Sequence, residues 1–196
     1  MKKIINKKFT FPIIIIFIVG ILFGIIFLFF INELDKLIIK TEITEYLNLI
    51  NNDNTNLFTS FITSFKSNFI YITVIWLVSI TLVFCPILFF IIFYKGFLTG
   101  FMLSSFIMVF GPKGIIYSII FMFPHEILNI STLITFALIM LSISYKIAKS
   151  TYKNDSINLR TFFKKIFLIY IIAIIIMFIS SLMEIYFNYY ILGILF

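Results

Sequence analysis

The sequence FPIIIIFIVGILFGIIFLFFI occupies residues 11–31 and carries no charge over 21 positions. A helix of this length can cross a hydrocarbon core of about 30 Å. Lys2, Lys3, Lys7 and Lys8 precede it, but the apolar run is longer than that of a cleaved signal peptide and lacks a small-residue cleavage site. We therefore predict that residues 11–31 are retained as a membrane-spanning helix.

The composition of the whole chain also indicates a membrane protein. Of the 196 residues, 62% are hydrophobic and 12% are charged, and the mean hydropathy is +1.18, whereas soluble domains carry about 25% charged residues. We predict an all-α, polytopic membrane protein that forms a single integral membrane domain over residues 1–196. About five transmembrane helices are expected, at 11–31, 69–93, 97–123 (broken at 111–114), 127–145 and 166–187, with a broken or re-entrant segment at 111–126.

The distribution of basic residues predicts the orientation. Eleven of the fifteen fall on one side if residues 97–145 cross the membrane twice: four in the N-terminal tail, Lys95, and six in the loop 146–165. Because basic loops stay cytoplasmic, we predict a cytoplasmic N-terminus and basic loop and an extracytoplasmic C-terminus. The heavy use of Lys, Ile, Asn and Phe is typical of an AT-rich genome, so the membrane is predicted to be that of a bacterial cell. The net charge of +7 then reflects topology and contact with the lipid bilayer, and no nucleic acid partner is expected because no basic patch lies on a soluble fold.

The predicted extracytoplasmic, amphipathic segment 32–68 has helical periodicity. Its apolar residues recur every three or four positions in two stretches, and the turn-forming residues 51–56 separate them. The stripes are Ile39, Ile43, Tyr46, Leu47 and Ile50 in the first stretch and Phe58, Phe61, Ile62, Phe65 and Phe69 in the second. Two interpretations are open: helices that lie on the outer leaflet, and a docking surface for an extracytoplasmic partner.

Two pairs of glycines predict close helix packing. Glycines at i and i+4, as in Gly20/Gly24 and Gly96/Gly100, allow two helix backbones to approach each other. Gly24 lies roughly 20 Å from the cytoplasmic end of its predicted span, whereas Gly100 lies only about 6 Å from the start of its own. We therefore expect the pairs to lie at different depths and to pack against different surfaces. A homo-oligomer is left open by the sequence.

The interrupted region allows two arrangements. In the first, residues 97–123 form one helix kinked at Gly111 and Pro112, and His125 and Glu126 lie at the outer surface. In the second, residues 111–114 are the outer turn, the following helix descends and His125 and Glu126 lie near mid-depth.

We favour the second arrangement because it leaves Lys113 at the interface. The first would place this lysine in the hydrocarbon, at a cost of about 2.5–3.5 kcal/mol near the centre. The second buries Glu126, which is tolerable if this residue is protonated, pairs with His125 or meets the N-terminus of the following helix.

The chain has one histidine, His125, and one cysteine, Cys85. An intramembrane metalloprotease needs about three protein ligands and a general base. The serine pairs at 104–105 and 180–181 lack the context of a nucleophile elbow. We therefore expect no catalytic, cofactor-binding or metal-binding residue and no enzymatic activity. The motif residues are Gly96, Gly100, Gly111, Lys113, Gly114, Pro124, His125 and Glu126, and those for helix packing are Gly20 and Gly24.

Three short motifs carry a resemblance to a known family. They are KGFLTGF at 95–101, GPKGI at 111–115 and FPHE at 123–126. They resemble the stage II sporulation protein M family, which has Lys-Gly-Phe-x-x-Gly-Phe at the start of its third span and a later Pro-His-Gly-x-x-Glu element. The length, five spans and basic N-terminus are also similar, so the resemblance covers essentially the whole chain. The sequence departs where Glu126 replaces Gly and Asn129 replaces Glu.

The resemblance implies a non-enzymatic membrane scaffold for forespore engulfment, in the mother-cell or septal membrane. It also implies recruitment of stage II sporulation proteins P and D, which degrade septal peptidoglycan. The alternative is a small membrane permease or an accessory subunit of a transporter. A transport path needs polar groups in the core, and Lys113, His125, Glu126 and Glu184 are available for one.

Overall fold

Seven α-helices make up the part of the chain that the computed structural model describes, which is residues 7–51, 57–80, 85–122, 124–153 and 159–187. They are α1 (Lys7–Phe30), α2 (Glu33–Asn51), α3 (Leu57–Ile80), α4 (Cys85–Phe110), α5 (Lys113–Met122), α6 (His125–Lys153) and α7 (Leu159–Phe187). These described residues include no strand. The predicted all-α class is confirmed.

Five of the helices, α1, α3, α4, α6 and α7, are long and apolar enough to cross a membrane. The predicted number of spans is therefore confirmed. The other two are not spans: α2 has Glu33 and Asp35 in its first turn, and the ten residues of α5 extend only about 15 Å.

The second and third spans differ from the prediction. The predicted span 69–93 was wrong as a single helix, because α3 ends at Ile80 and α4 begins at Cys85. A bend at Cys85 and Pro86 was expected, because proline removes one backbone hydrogen bond, but not a boundary between two spans. Residues 81–84 lie outside the described part. The spans are instead Leu57–Ser79 and Pro86–Phe110.

The phenylalanine stripe predicted for the outer leaflet is the beginning of span α3. The Phe61 and Phe65 rings contact Phe178 of α7, with centroids 5.3 and 5.5 Å apart. The hydroxyl of Thr63 donates to the Thr59 carbonyl at 2.9 Å. A hydroxyl that donates to a carbonyl of its own helix can lie in hydrocarbon. The serines and threonines of this stretch are therefore compatible with a membrane span, although we had predicted an extracytoplasmic segment from them.

Helices α1 and α4 make the most extensive contact of the fold, and the two glycine pairs lie at its centre. A Cβ added at Gly20 or Gly24 would overlap the backbone of α4, and one added at Gly96 or Gly100 would overlap the backbone of α1. The facing positions advance together along both helices, so the pair is parallel. Because α1 and α4 run in the same direction, the chain must cross the membrane once in the opposite direction between them. Helix α3 makes that crossing.

The prediction that the two glycine pairs lie at different depths was wrong. It placed the start of the third span at residue 97, whereas the span of α4 begins at Pro86. Gly96 therefore lies about 15 Å into its span, close to the roughly 18 Å that separate Gly20 from Lys8 at the start of span α1.

The structure has the turn and the returning helix of the second arrangement for the interrupted region. The chain turns at Gly111, which has a φ of 62° that favours glycine, and α5 returns along α4. A Cβ at Gly114 would overlap the Phe106 carbonyl, so this glycine allows α5 to touch α4. Lys113 is exposed at the turn, as expected.

Helix α2 lies across α4 and α5. Ile39 and Ile43 of the predicted stripe are half-buried, and the Tyr46 ring meets Phe121 of α5 edge-on with centroids 6.2 Å apart. The side chains of Leu47 and Ile50 lie outside the described residues. The first stripe therefore faces the helices of the same chain.

The hydrophobic core lies where α3, α4, α6 and α7 meet. Its fully buried side chains include Ile72, Ile75, Leu88, Ile92, Leu133, Met140 and Met177. Large apolar side chains such as Phe23 and Ile172 point outward, as expected for helices that face lipid. Each helix therefore has a buried side that contacts its neighbours and an exposed apolar side that is suited to lipid.

The orientation predicts a labelling pattern. In a Cys85→Ala background, Asp35→Cys should react with an impermeant maleimide on intact cells, and Lys149→Cys only after permeabilisation. Both side chains are exposed, so failure to react on both sides would not arise from burial. The opposite pattern would mean that the basic residues do not set the topology.

Candidate functional site

Lys95 lies inside span α4. It follows Pro86 by nine residues, or about 14 Å of helix, and only 9% of its surface is exposed. The assignment of Lys95 to a cytoplasmic link was wrong, because α4 continues through it from Cys85 to Phe110. A lysine at this depth is costly unless a partner compensates it.

The partner is Glu126 of α6. Lys95 Nζ lies 2.8 Å from Glu126 Oε1, and the two side chains are only 11% and 14% exposed. The ammonium also lies 5.7 Å from the centroid of the Tyr71 ring of α3, within the range of a cation–π interaction. Asn129 Nδ2 donates to Glu126 Oε2 at 3.4 Å. This Lys95–Glu126 centre joins α3, α4 and α6.

The local sequence places Glu126 at the beginning of a helix. Pro124 precedes α6, where its missing N–H is not needed, and its carbonyl accepts from the Leu128 amide at 3.3 Å. Glu126 lies in the first turn of α6, where the helix dipole stabilises a carboxylate. Glu126 therefore meets the N-terminus of the following helix, as one of the three alternatives proposed. Its charged partner is Lys95, whereas another of those alternatives was His125.

His125 is 4% exposed. Its imidazole meets the Phe121 ring edge-on at a centroid distance of 6.3 Å, and its Nδ1 has no hydrogen-bond partner among the described residues. The backbone carbonyl of His125 accepts from Ser180 Oγ at 2.8 Å. Ser180 therefore fixes the backbone at the beginning of α6 and does not form a Ser–His pair through the imidazole.

A second polar cluster joins α3 to α7. The hydroxyl of Ser64 donates to Glu184, and Asn68 Nδ2 donates to Ser181 Oγ at 3.4 Å. Glu184 was recognised in the sequence as a polar residue of the last span, but its partners were not. Both carboxylates in the described membrane spans therefore lie between helices. Glu126 pairs with Lys95, and Glu184 accepts a hydrogen bond from Ser64.

The structure brings together only part of the sequence motif. Pro124, His125 and Glu126 are at the Lys95–Glu126 centre, with Gly96 next to Lys95 on α4, whereas Gly111, Lys113 and Gly114 lie at the turn between α4 and α5. The roles of Lys95, Tyr71 and Asn129 were not predicted from the sequence. One signal was available, because Lys95 is the only charge between Pro86 and Phe110. Among the described residues, no group of three or more His, Cys, Asp and Glu side chains could hold a metal ion.

Comparison with known proteins gives a family match. The family described as stage II sporulation protein M (SpoIIM) matches residues 13–188, a range that begins within α1 and extends through α7. No curated protein and no solved structure gives a significant match.

Proposed function

Because the chain belongs to the stage II sporulation protein M family, it is a sporulation-related membrane protein, and we propose that it acts as a non-enzymatic scaffold. In this proposal it anchors peptidoglycan-degrading proteins, stage II sporulation proteins P and D, at the septal membrane during forespore engulfment. It spans the mother-cell membrane with its N-terminus in the cytoplasm.

The observation that best supports a scaffold is the internal pairing of the buried charges. Lys95 and Glu126 compensate each other and connect three helices. A buried pair of this kind, in which each charge has its partner, holds helices in one arrangement. The overlapping glycine backbones of α1 and α4 add a second fixed contact. A rigid frame is what a scaffold requires of its membrane domain.

Helix α2 supplies a surface on which partners could assemble. It contacts α4 and α5 on one side, and many of its other described side chains are exposed. These include Glu33, Leu34, Asp35, Leu37 and Lys40. A mixed surface of charged and apolar side chains is typical of the rim and core of protein interfaces.

A permease or transporter subunit is the second candidate, favoured by one observation. The unpartnered Nδ1 of His125 lies one residue from the Lys95–Glu126 pair, and ionisable groups inside membranes often line a proton or substrate path. Here the path would pass between α4 and α6.

The substitution His125→Gln separates the two candidates. In a sporulating bacterium that lacks its own copy, we expect this variant to accumulate normally, to support engulfment and to co-purify proteins P and D, because Nδ1 makes no bond that would be lost. Glutamine cannot titrate, so a proton path would be abolished. A variant that is abundant but inactive would contradict the scaffold, and so would wild-type protein that fails to capture either partner.

A further inference from the structure

A groove of about 400 Å³ separates α2 from α4 and α5. It is lined by Ile38, Ile39, Glu42, Ile43 and Tyr46 of α2, Phe101, Met102, Ser105 and Phe106 of α4, and Phe121 of α5. The Phe106 ring contacts the rings of Phe110 and Phe121, with centroids 6.0 and 5.3 Å apart. We call this space the α2 groove.

The polar residues of the α2 groove do not make it a polar site. The hydroxyl of Ser105 donates to the Phe101 carbonyl at 2.8 Å, so it is already used within α4. Glu42 is exposed and lies at the rim. The space could hold many water molecules at roughly 30 Å³ each, but water in a cavity needs two to four polar partners. An apolar occupant is therefore favoured.

The depth of the α2 groove indicates which apolar occupant is available. Phe101 and Phe106 lie nine and four residues before the end of span α4 at Phe110, or roughly 14 and 6 Å along the helix. This is the part of the bilayer that acyl chains fill. Ile38 of α2 remains 57% exposed although it lines the groove, so the groove is open beside α2.

The volume of the α2 groove, about 400 Å³, lies in the range of small-molecule pockets. A single flexible hydrocarbon chain fits a space of this size.

We propose that the α2 groove binds one acyl chain of a phospholipid from the leaflet in which α2 lies. The acyl chain fills the space between Ile38 and Met102. It thereby connects the apolar stripe of α2 with the apolar surface of α4. Because the walls recognise hydrocarbon, binding does not depend on the headgroup. The bound lipid thereby becomes part of the support for α2.

The test uses the full-length protein reconstituted with phosphatidylcholine that carries a diazirine on its acyl chain. After photolysis, peptides that contain Met102 should be labelled several-fold more than those around Phe23, which faces bulk lipid and is 57% exposed. Native mass spectrometry should show one phospholipid that stays bound when the surrounding lipid has been removed, whether phosphatidylcholine or phosphatidylglycerol is supplied.

Filling the α2 groove should remove this lipid. Met102→Trp should lose the retained phospholipid, whereas Ile87→Trp, at an outward-facing position of the same helix, should keep it. If Met102→Trp does not fold, Ile38→Trp provides the same comparison on α2. Equal labelling at the groove and at Phe23 would overturn the proposal. It would also be overturned if the retained mass were a peptide, a second copy of the chain or detergent that phospholipid does not displace.

Discussion

A leucine at Gly24 or Gly100 is expected to prevent α1 and α4 from packing and to remove most of the folded protein. A Cβ at either position would already overlap a backbone carbonyl of the facing helix, and backbone atoms cannot move aside as a flexible side chain can. Overpacked cores lose about 1–3 kcal/mol when side chains adjust, and occasionally more. We expect about 3 kcal/mol or more here, because α1 and α4 share the most extensive contact of the fold.

The measurement is the thermal unfolding midpoint in detergent, together with the yield of a single symmetric peak in size-exclusion chromatography. Val19→Leu is the matched control, because Val19 adjoins Gly20 but faces outward and is 37% exposed. It should behave as the wild type. If Gly24→Leu and Gly100→Leu unfold at the wild-type temperature, α1 and α4 do not touch through these glycines.

The second large effect is expected when one charge of the Lys95–Glu126 centre is removed. Lys95→Met leaves the Glu126 carboxylate in an apolar interior, and Glu126→Gln leaves the ammonium there. Breaking a buried ion pair from one side costs about 3–5 kcal/mol. Each single variant should therefore unfold at a much lower temperature or fail to accumulate in the membrane.

The double variant Lys95→Met/Glu126→Gln distinguishes a lost pair from damaged packing. With both charges absent, no uncompensated charge remains, and stability should recover most of what each single variant lost. The exposed pair of Lys36 and Glu33, with Nζ and Oε1 2.8 Å apart, is the control. Lys36→Met should cost less than about 1 kcal/mol. A double variant as unstable as the sum of the singles would show that the two charges are not coupled.

The parts of the fold that were predicted correctly depend on local chemistry. Gly111 ends α4 because its backbone adopts a left-handed conformation, and Pro124 precedes α6 because proline fits before a helix and not within one. Both residues act within a few positions of themselves. The number of spans was predictable for the same reason, since hydropathy is a property of a continuous stretch.

The parts that were missed depend on residues distant in the sequence. From the sequence alone Lys95 is typical of a loop residue, because its partner Glu126 is distant in the chain. Thr63 and Asn68 resemble external residues until one hydroxyl bonds within its own helix and the amide meets Ser181. The contact between the two glycine pairs depended on where α4 begins, and from the continuous hydrophobicity around residues 81–84 we expected only a bend at Pro86 instead of a boundary. The sequence therefore predicted the number of spans better than it predicted how they pack.

The parallel contact between α1 and α4 also sets an order of events during biosynthesis. Roughly 75 residues of chain separate Gly20 from Gly96, and a ribosome adds about 5–20 residues per second. The first helix therefore waits in the bilayer for roughly 4–15 s before its partner is made. When α4 arrives, it carries Lys95 into the membrane before the ribosome has produced Glu126. Until α6 follows, the Lys95 ammonium lacks its partner, at a cost of about 2.5–3.5 kcal/mol near the bilayer centre, so the Lys95–Glu126 centre is completed only when α6 joins α4.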